Sequence, residues 1–283
     1  MYGHSGQGFL LGSNSSIPGN TVEKKSLPLN NVTSVPNPGS RSNAVARIRG
    51  VLFDIDDTLV DLNSASIRGF HRMTEQDFGD LAPEDREHIA KDYADDGAGA
   101  YERYMSGELT FLGQRAERIR RAYGLAKLQA PEAEALGIWS AEYERTVRSM
   151  WEPYPDVHAC LDSLDVMGIP YGAVSNNIES YQRDKLVLSG LERIAIVVGS
   201  DTAGAPKPDP RPFHEGCRLL GTKIRETLYV GDNPINDVQG AKSAGLQAVL
   251  INRAPNHMPS SSELLGSHTS LNSIISENLG FFG

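Results

Sequence analysis

The sequence predicts an α/β protein, a doubly wound parallel sheet interrupted by an all-helical insertion. Three observations carry this reading. An apolar run, Val51-Leu52-Phe53, has the composition of a strand buried on both faces and breaks at once into the carboxylates Asp54, Asp56 and Asp57. From residue 157 onward helical and strand-like segments alternate, the pattern of βαβ crossovers. Between the two lies a stretch, residues 63–150, with helical periodicity and no convincing strand.

Taken in order, residues 1–44 are rich in Gly, Ser, Asn and Pro without period, and read as a disordered leader. Gly3-His4-Ser5-Gly6-Gln7-Gly8 superficially suggests a phosphate loop, but no strand precedes it and no helix follows. Amphipathic helices are expected near 63–79, 83–104, 108–124 and 131–150, with Asn63 or Ser64 and Pro83 at helix starts. A helix over 157–167 then leads to a strand over 170–174 that ends in Ser175-Asn176-Asn177. A helix (181–189), a strand (194–198), a loop closing on Lys207-Pro208 and a helix (212–220) follow. Next come a strand (227–230) running into Gly231-Asp232, a helix (236–244) and a strand (248–251). Residues 256–283 begin Ser-rich and regain helical period at Leu271, Ile274, Ile275 and Leu279. The expected organisation is a leader (1–44), a core built from 45–62 and 151–283, and an inserted helical domain (63–150).

Composition narrows the function classes. A chain of 283 residues with 39% apolar content can bury a full core. A net charge of −9 argues against a nucleic-acid or membrane-surface binder, both of which need basic patches. Ten acidic residues against two basic ones between Glu75 and Glu102 supply most of that charge, and suggest a solvated helical face. Cys160 and Cys217 sit in apolar helical contexts, which points to buried thiols and a cytoplasmic setting. No run approaches the roughly 18 apolar residues of a membrane span, and no secretory signal is evident.

Three acids at the end of a buried strand repel one another and lose solvation, so they call for a cation or strong donors among them. Successive strand ends deliver Asp54 and Asp56, then Ser175 and Asn176, then Lys207, then Asp232 with Asp237. Each has an ordinary explanation as a cap, turn or surface charge. Together, at the carboxyl ends of the strands where open α/β sheets bind ligands, they suit phosphoryl transfer. A carboxylate nucleophile meets an anionic phosphoryl group, so it needs a divalent cation, a lysine and neutral donors. Asp54 and Asp232 would ligate Mg²⁺, Lys207 would shield nucleophile and phosphate, and Ser175 would donate. Asp56, two residues on along an extended segment, can act as general acid and base.

Asp54-Ile55-Asp56-Asp57-Thr58, Ser175, Lys207 in Gly204-Ala205-Pro206-Lys207-Pro208, and Gly231-Asp232-Asn233-Pro234-Ile235-Asn236-Asp237 resemble the four motifs of the haloacid dehalogenase-like hydrolase superfamily, in order, across about residues 46–255. The resemblance implies a Rossmann-like core, a helical cap that closes over small substrates, and catalysis by Asp54, Asp56 and Lys207. It implies a Mg²⁺ site of Asp54, the Asp56 carbonyl and Asp232, with Asp237 behind the metal. Thr58, Ser175 and Asn176 become candidate substrate contacts. Asp56 distinguishes this chain from the founding dehalogenases, whose halide leaving group needs no proton. The expected activity is hydrolysis of a small phosphorylated metabolite through an aspartyl-phosphate. A phosphomutase would carry the same motifs, and a non-catalytic binding or regulatory member is the remaining alternative. The oligomeric state is not legible.

The insertion offers one further candidate. If residues 108–123 are helical, Leu112, Ala116, Ile119 and Tyr123 share an arc of about 60°. Arg118 and Arg121 fall well away from it, on the solvated side, and Arg115 sits at its border. Arg115 either covers apolar surface with its stem or reaches toward the acidic strand ends to hold an anionic part of the substrate.

Overall fold

The computed structural model describes residues 46–253 and 268–280. The leader and the Ser-rich loop lie outside the described residues. Five parallel strands form one sheet in the order β3-β2-β1-β4-β5, with β1 (Gly50–Phe53) at its centre. Its neighbours are β2 (Tyr171–Val174) and β4 (Thr227–Gly231), and the flanks are β3 (Val197–Val198) and β5 (Gln247–Leu250). Leu52 pairs with Gly172 on one side and Tyr229 on the other. Strand order reverses beside β1, the kind of switch point at which doubly wound sheets hold ligands.

Alternate residues of β1 face opposite cores. Val51 and Phe53 pack with Val157, Cys160, Leu161 and Leu164 of α6 (Val157–Met167) and with Leu271, Ile274 and Ile275 of α11 (Leu271–Leu279). Leu52 faces Phe213 and Cys217 of α9 (Pro210–Leu220), with Tyr229 and Ala241. Burial on both faces explains the unbroken apolar run, since no position of β1 meets water. Gly216 lets α9 approach closely, because a Cβ there would lie 2.7 Å from Leu52. Both cysteines are buried and unpaired. Helices α7 (Glu179–Leu188), α8 (Ser200–Ala203) and α10 (Gly240–Ser243) complete the core, with a 3₁₀ turn, Ile224–Glu226, and a π-helical turn, Pro234–Gln239. That π-helical turn takes residues 236–239 of the helix expected over 236–244, and α10 takes residues 240–243.

Five helices fill the insertion: α1 (Leu62–Phe78), α2 (Pro83–Ala94), α3 (Ala100–Met105), α4 (Phe111–Leu125) and α5 (Ala133–Arg148). They close around an aromatic cluster in which Trp139 and Tyr143 stack at 5.1 Å and Phe70 lies 4.7 Å from Tyr93. The single helix expected over 83–104 is two. Asp96 and Gly99 take left-handed backbone angles (φ 54° and 61°), which no α-helix accommodates. Both Asp96 carboxylate oxygens then receive the first amides of α3, from Ala100 and Tyr101. The acidic stretch is therefore more than a solvated face, since Asp92 also pairs with Arg121 and Asp95 accepts from Asn63. No helix among the described residues is long and apolar enough to cross a membrane.

Candidate active site

The site grows from the end of β1. Asp54 still bonds in sheet register, its amide donating to Val230 at 2.8 Å, and then the chain folds back so that Val60 donates to Ile55. Asp57 makes the turn with φ 58°, a conformation that Asp tolerates better than most side chains. Its carboxylate accepts from the Asn63 amide, and Asp61 caps α1 by accepting from Ser64. The loop is thereby tied to the first turn of the insertion.

Lys207 crosses beneath this loop, almost wholly buried. Its ammonium lies 2.5 Å from Asp54, 2.7 Å from Asp237, 3.0 Å from the Tyr229 hydroxyl and 3.1 Å from the Val174 carbonyl. Burial alone would pull the lysine pKa down, but Asp237 and Asp54 outweigh it and hold the ammonium charged. Asn176 clamps this lysine by its backbone, accepting from the Lys207 amide and donating to its carbonyl. The Asn176 side chain is thus committed to the lysine, where a substrate contact was expected.

Carboxylate oxygens of Asp54, Asp232 and Asp237 lie within 4.8 Å of one another. Burial is the largest influence on Asp54; it and the neighbouring carboxylates push the pKa well up, despite Lys207. Asp232 is pushed up to about 7, by burial first and then by Asp237 and Asp57. One ammonium among these acids leaves the pocket short of positive charge, and hard oxygen donors of this kind suit Mg²⁺. Asp54 keeps Oδ2 free of hydrogen bonds among the described residues, while Asp237 accepts from Lys207, Tyr229 and the Asn233 amide. Asp54 and Asp232 are the less encumbered of the three acids, and Asp237 anchors the lysine. Thr58, expected to touch substrate, is wholly buried with its hydroxyl turned to Asp232 at 3.4 Å.

Asp56 projects to the other side of the loop. One carboxylate oxygen pairs with the buried Lys185 ammonium, and the other accepts from Gln182 Nε2 at 2.8 Å. Gln182 also donates to Ser175 Oγ at 2.7 Å, which receives a second bond from the Asn177 amide. With both Ser175 lone pairs filled, its hydroxyl hydrogen is left to donate elsewhere. Lys185 and Gln182 escaped the sequence reading because they lie inside a polar helix, where nothing separates them from Arg183 or Asp184. Tyr101 on α3 escaped it too. The residue as a whole is 38% exposed, while local burial of its phenol, with Asp56 next among the influences, pushes it up to about 12.

Arg115 is placed differently from either expectation. Its guanidinium is buried within the insertion, paired with Glu144, bonded to the Ser140 carbonyl at 3.1 Å and lying over the Phe111 ring at 4.4 Å. Leu112, expected on the buried arc, is 57% exposed, and the face that packs carries Arg115, Ile119, Ala122 and Tyr123. Arg118 is not solvated either, since it donates to the Tyr93 carbonyl and lies over its ring at 4.4 Å.

A parallel α/β core with acids, a lysine and hydroxyls converging at the strand ends, under a helical insertion, defines a Rossmann-like enzyme. The family model of haloacid dehalogenase-like hydrolases matches residues 51–251. A glyceraldehyde 3-phosphate phosphatase of Methanopyrus kandleri is 31% identical over 218 residues, covering 73% of this chain and 84% of that one. A phosphoglycolate phosphatase of Rhodospirillum rubrum is 32% identical over 208 residues, covering 72% and 79%. Among solved structures, the magnesium-bound HAD-hydrolase YfnB of Bacillus subtilis has a TM-score of 0.65 at 20% identity, over 83% of this chain and all of that one. A dehalogenase scores 0.62 at 22% identity, over 82% and 98%, so the fold by itself does not choose the chemistry. The chain belongs to the haloacid dehalogenase-like hydrolase family.

Proposed function

We propose that this protein is a Mg²⁺-dependent phosphatase that hydrolyses a small phosphorylated metabolite through an aspartyl-phosphate on Asp54. The observation that carries the reading is Asp56, a second carboxylate on the same loop as Asp54 and held there by Gln182 and Lys185, which the departure of an alkoxide requires and the departure of a halide does not. A carboxylate oxygen of Asp54 attacks phosphorus, and the ester P–O bond breaks as the leaving oxygen takes a proton from Asp56 in its acid form. Water then attacks the aspartyl-phosphate, giving its proton back to Asp56 and freeing Asp54 and inorganic phosphate. Lys207 offsets the charge of Asp54, and Ser175 donates to a phosphoryl oxygen. Asp54, Asp232 and the Asp56 carbonyl would hold Mg²⁺, which supplies charge neutralisation between nucleophile and phosphate.

Relatives named as phosphatases of phosphoglycolate and glyceraldehyde 3-phosphate support a small phosphate ester as substrate. Two buried, unpaired thiols fit a reducing cytoplasm. The test is the purified protein with Mg²⁺ against phosphoglycolate, triose and sugar phosphates and nucleotides, scored for released phosphate. Release that stops with chelator, returns with Mg²⁺ and is absent in Asp54→Asn supports the reading. Transfer of phosphate between sugar positions without release would replace it with a phosphomutase, and halide release from a 2-haloacid would replace it with a dehalogenase.

A further inference from the structure

We propose that Lys185 and Gln182, on one face of α7, position the carboxylate of Asp56 and the hydroxyl of Ser175 for reaction. The inference rests on the phosphatase reading and adds two residues to its machinery. A lysine buried to 1% exposure needs a strong partner, and the Lys185 ammonium spends itself on Asp56. Two rings hold it in place, Trp151 at 4.9 Å and Tyr181 at 5.3 Å from the ammonium, packed edge to face with each other at 5.5 Å. Tyr181 is in turn fixed by a 2.8 Å bond to Glu144 of α5, so the position of the ammonium is determined from the core and the insertion together.

Gln182 is wholly buried, and its single amide nitrogen serves both reacting groups, Asp56 at 2.8 Å and Ser175 at 2.7 Å. With Asp56 and Ser175 both within bonding distance of Nε2, both hydrogens of the amide are committed. Asp56 thus has a donor on each oxygen, which sets its plane. Its side chain is 26% exposed, so part of it stays accessible. Ser175 has two donors on Oγ, which leaves its hydrogen to donate. Lys185 and Gln182 touch no substrate in this arrangement; they act through Asp56 and Ser175.

The ordinary alternative is an ion pair that only fastens α7 to the loop after β1. Leaving-group chemistry separates the two. A 2,4-dinitrophenolate departs without a proton, whereas phenolate departure gains from a correctly aimed acid, and kcat/KM reports the step in which that bond breaks. In Mg²⁺, Lys185→Met is expected to lose at least tenfold in kcat/KM on phenyl phosphate and less than threefold on 2,4-dinitrophenyl phosphate, the same selectivity as Asp56→Asn. Gln182→Met adds a loss common to both esters through Ser175. Lys185→Gln gives the same comparison if the Met variant does not fold. Parallel declines on both esters for the Lys185 variants, or no decline on either, would overturn the positioning role. A wild-type protein inert on both esters would instead remove the phosphatase reading, and this proposal with it.

Discussion

Replacing Lys207 by Met keeps the length of the side chain and removes the ammonium, which makes it a direct probe of the buried charge. The lysine side chain is 3% exposed, and those of its carboxylate partners Asp54 and Asp237 are 9% and 2% exposed. Removing one partner of a buried pair costs about 3–5 kcal/mol. Protonation sets a ceiling. Neutralising a carboxylate of ordinary pKa costs about 5 kcal/mol at pH 7.5 and about 2 kcal/mol at pH 5.5, so the orphaned acids escape more cheaply in acid. For a domain of this size the melting temperature should fall by roughly 6–20 °C at pH 7.5. The fall should be visibly smaller at pH 5.5, and Mg²⁺ should narrow it at the higher pH. Calorimetry of wild type and variant at both pH values, with chelator and then with Mg²⁺, reads all three quantities. A fall of less than about 3 °C at pH 7.5, or the same fall at both pH values, would refute the claim that Lys207 is the principal counter-charge of the site.

Three further outcomes are expected. Asp54→Asn should lose at least about a thousandfold in turnover, because the amide cannot attack phosphorus, and should melt no lower than the chelated wild type, since it removes a charge whose pKa burial already raises; retention of a few per cent of activity would contradict this. Asp232 and Asp57, each pushed up to about 7 chiefly by burial, bind protons more tightly when folded, so chelated protein should lose stability as pH rises from about 5 to 7; urea melts showing greater stability at pH 7.5 than at pH 5 would be inconsistent with that. Arg115→Met leaves Glu144 its bonds to Tyr181 and Arg148, so it should cost about 2 kcal/mol and lower kcat/KM on unlike esters in parallel; a tenfold loss confined to one substrate, with an unchanged melting temperature, would return Arg115 to substrate binding.

The central sheet and the carboxylate cluster were legible because both depend on local pattern. An unbroken apolar run can be satisfied only between two covered faces, and acids at its end stand out against it. What the sequence hid depends on partners distant along the chain. Arg115 pairs with Glu144, 29 residues on, so helical phase alone offered a stem over apolar surface or a reach toward substrate and missed the buried pair. Lys185 lies 129 residues from Asp56, in a helix whose other charges face water. The break after α2 had a local signal, Gly97 and Gly99 beside two acids, which the surrounding helical period masked. Asn176, a candidate substrate contact at the strand end, shows no local sign of its other role, because only the fold brings the Lys207 backbone within reach of both ends of its amide.

The proposed mechanism requires Asp54 to be the nucleophile. Acid quenching during turnover of a good substrate, followed by borohydride reduction and peptide mass spectrometry, converts an aspartyl-phosphate into homoserine at the residue that carried it. The expected result is homoserine at position 54, dependent on Mg²⁺ and absent in the Asp54→Asn protein. Rapid phosphate release with no reduced residue at position 54, or with the reduced residue elsewhere in the chain, would contradict the mechanism.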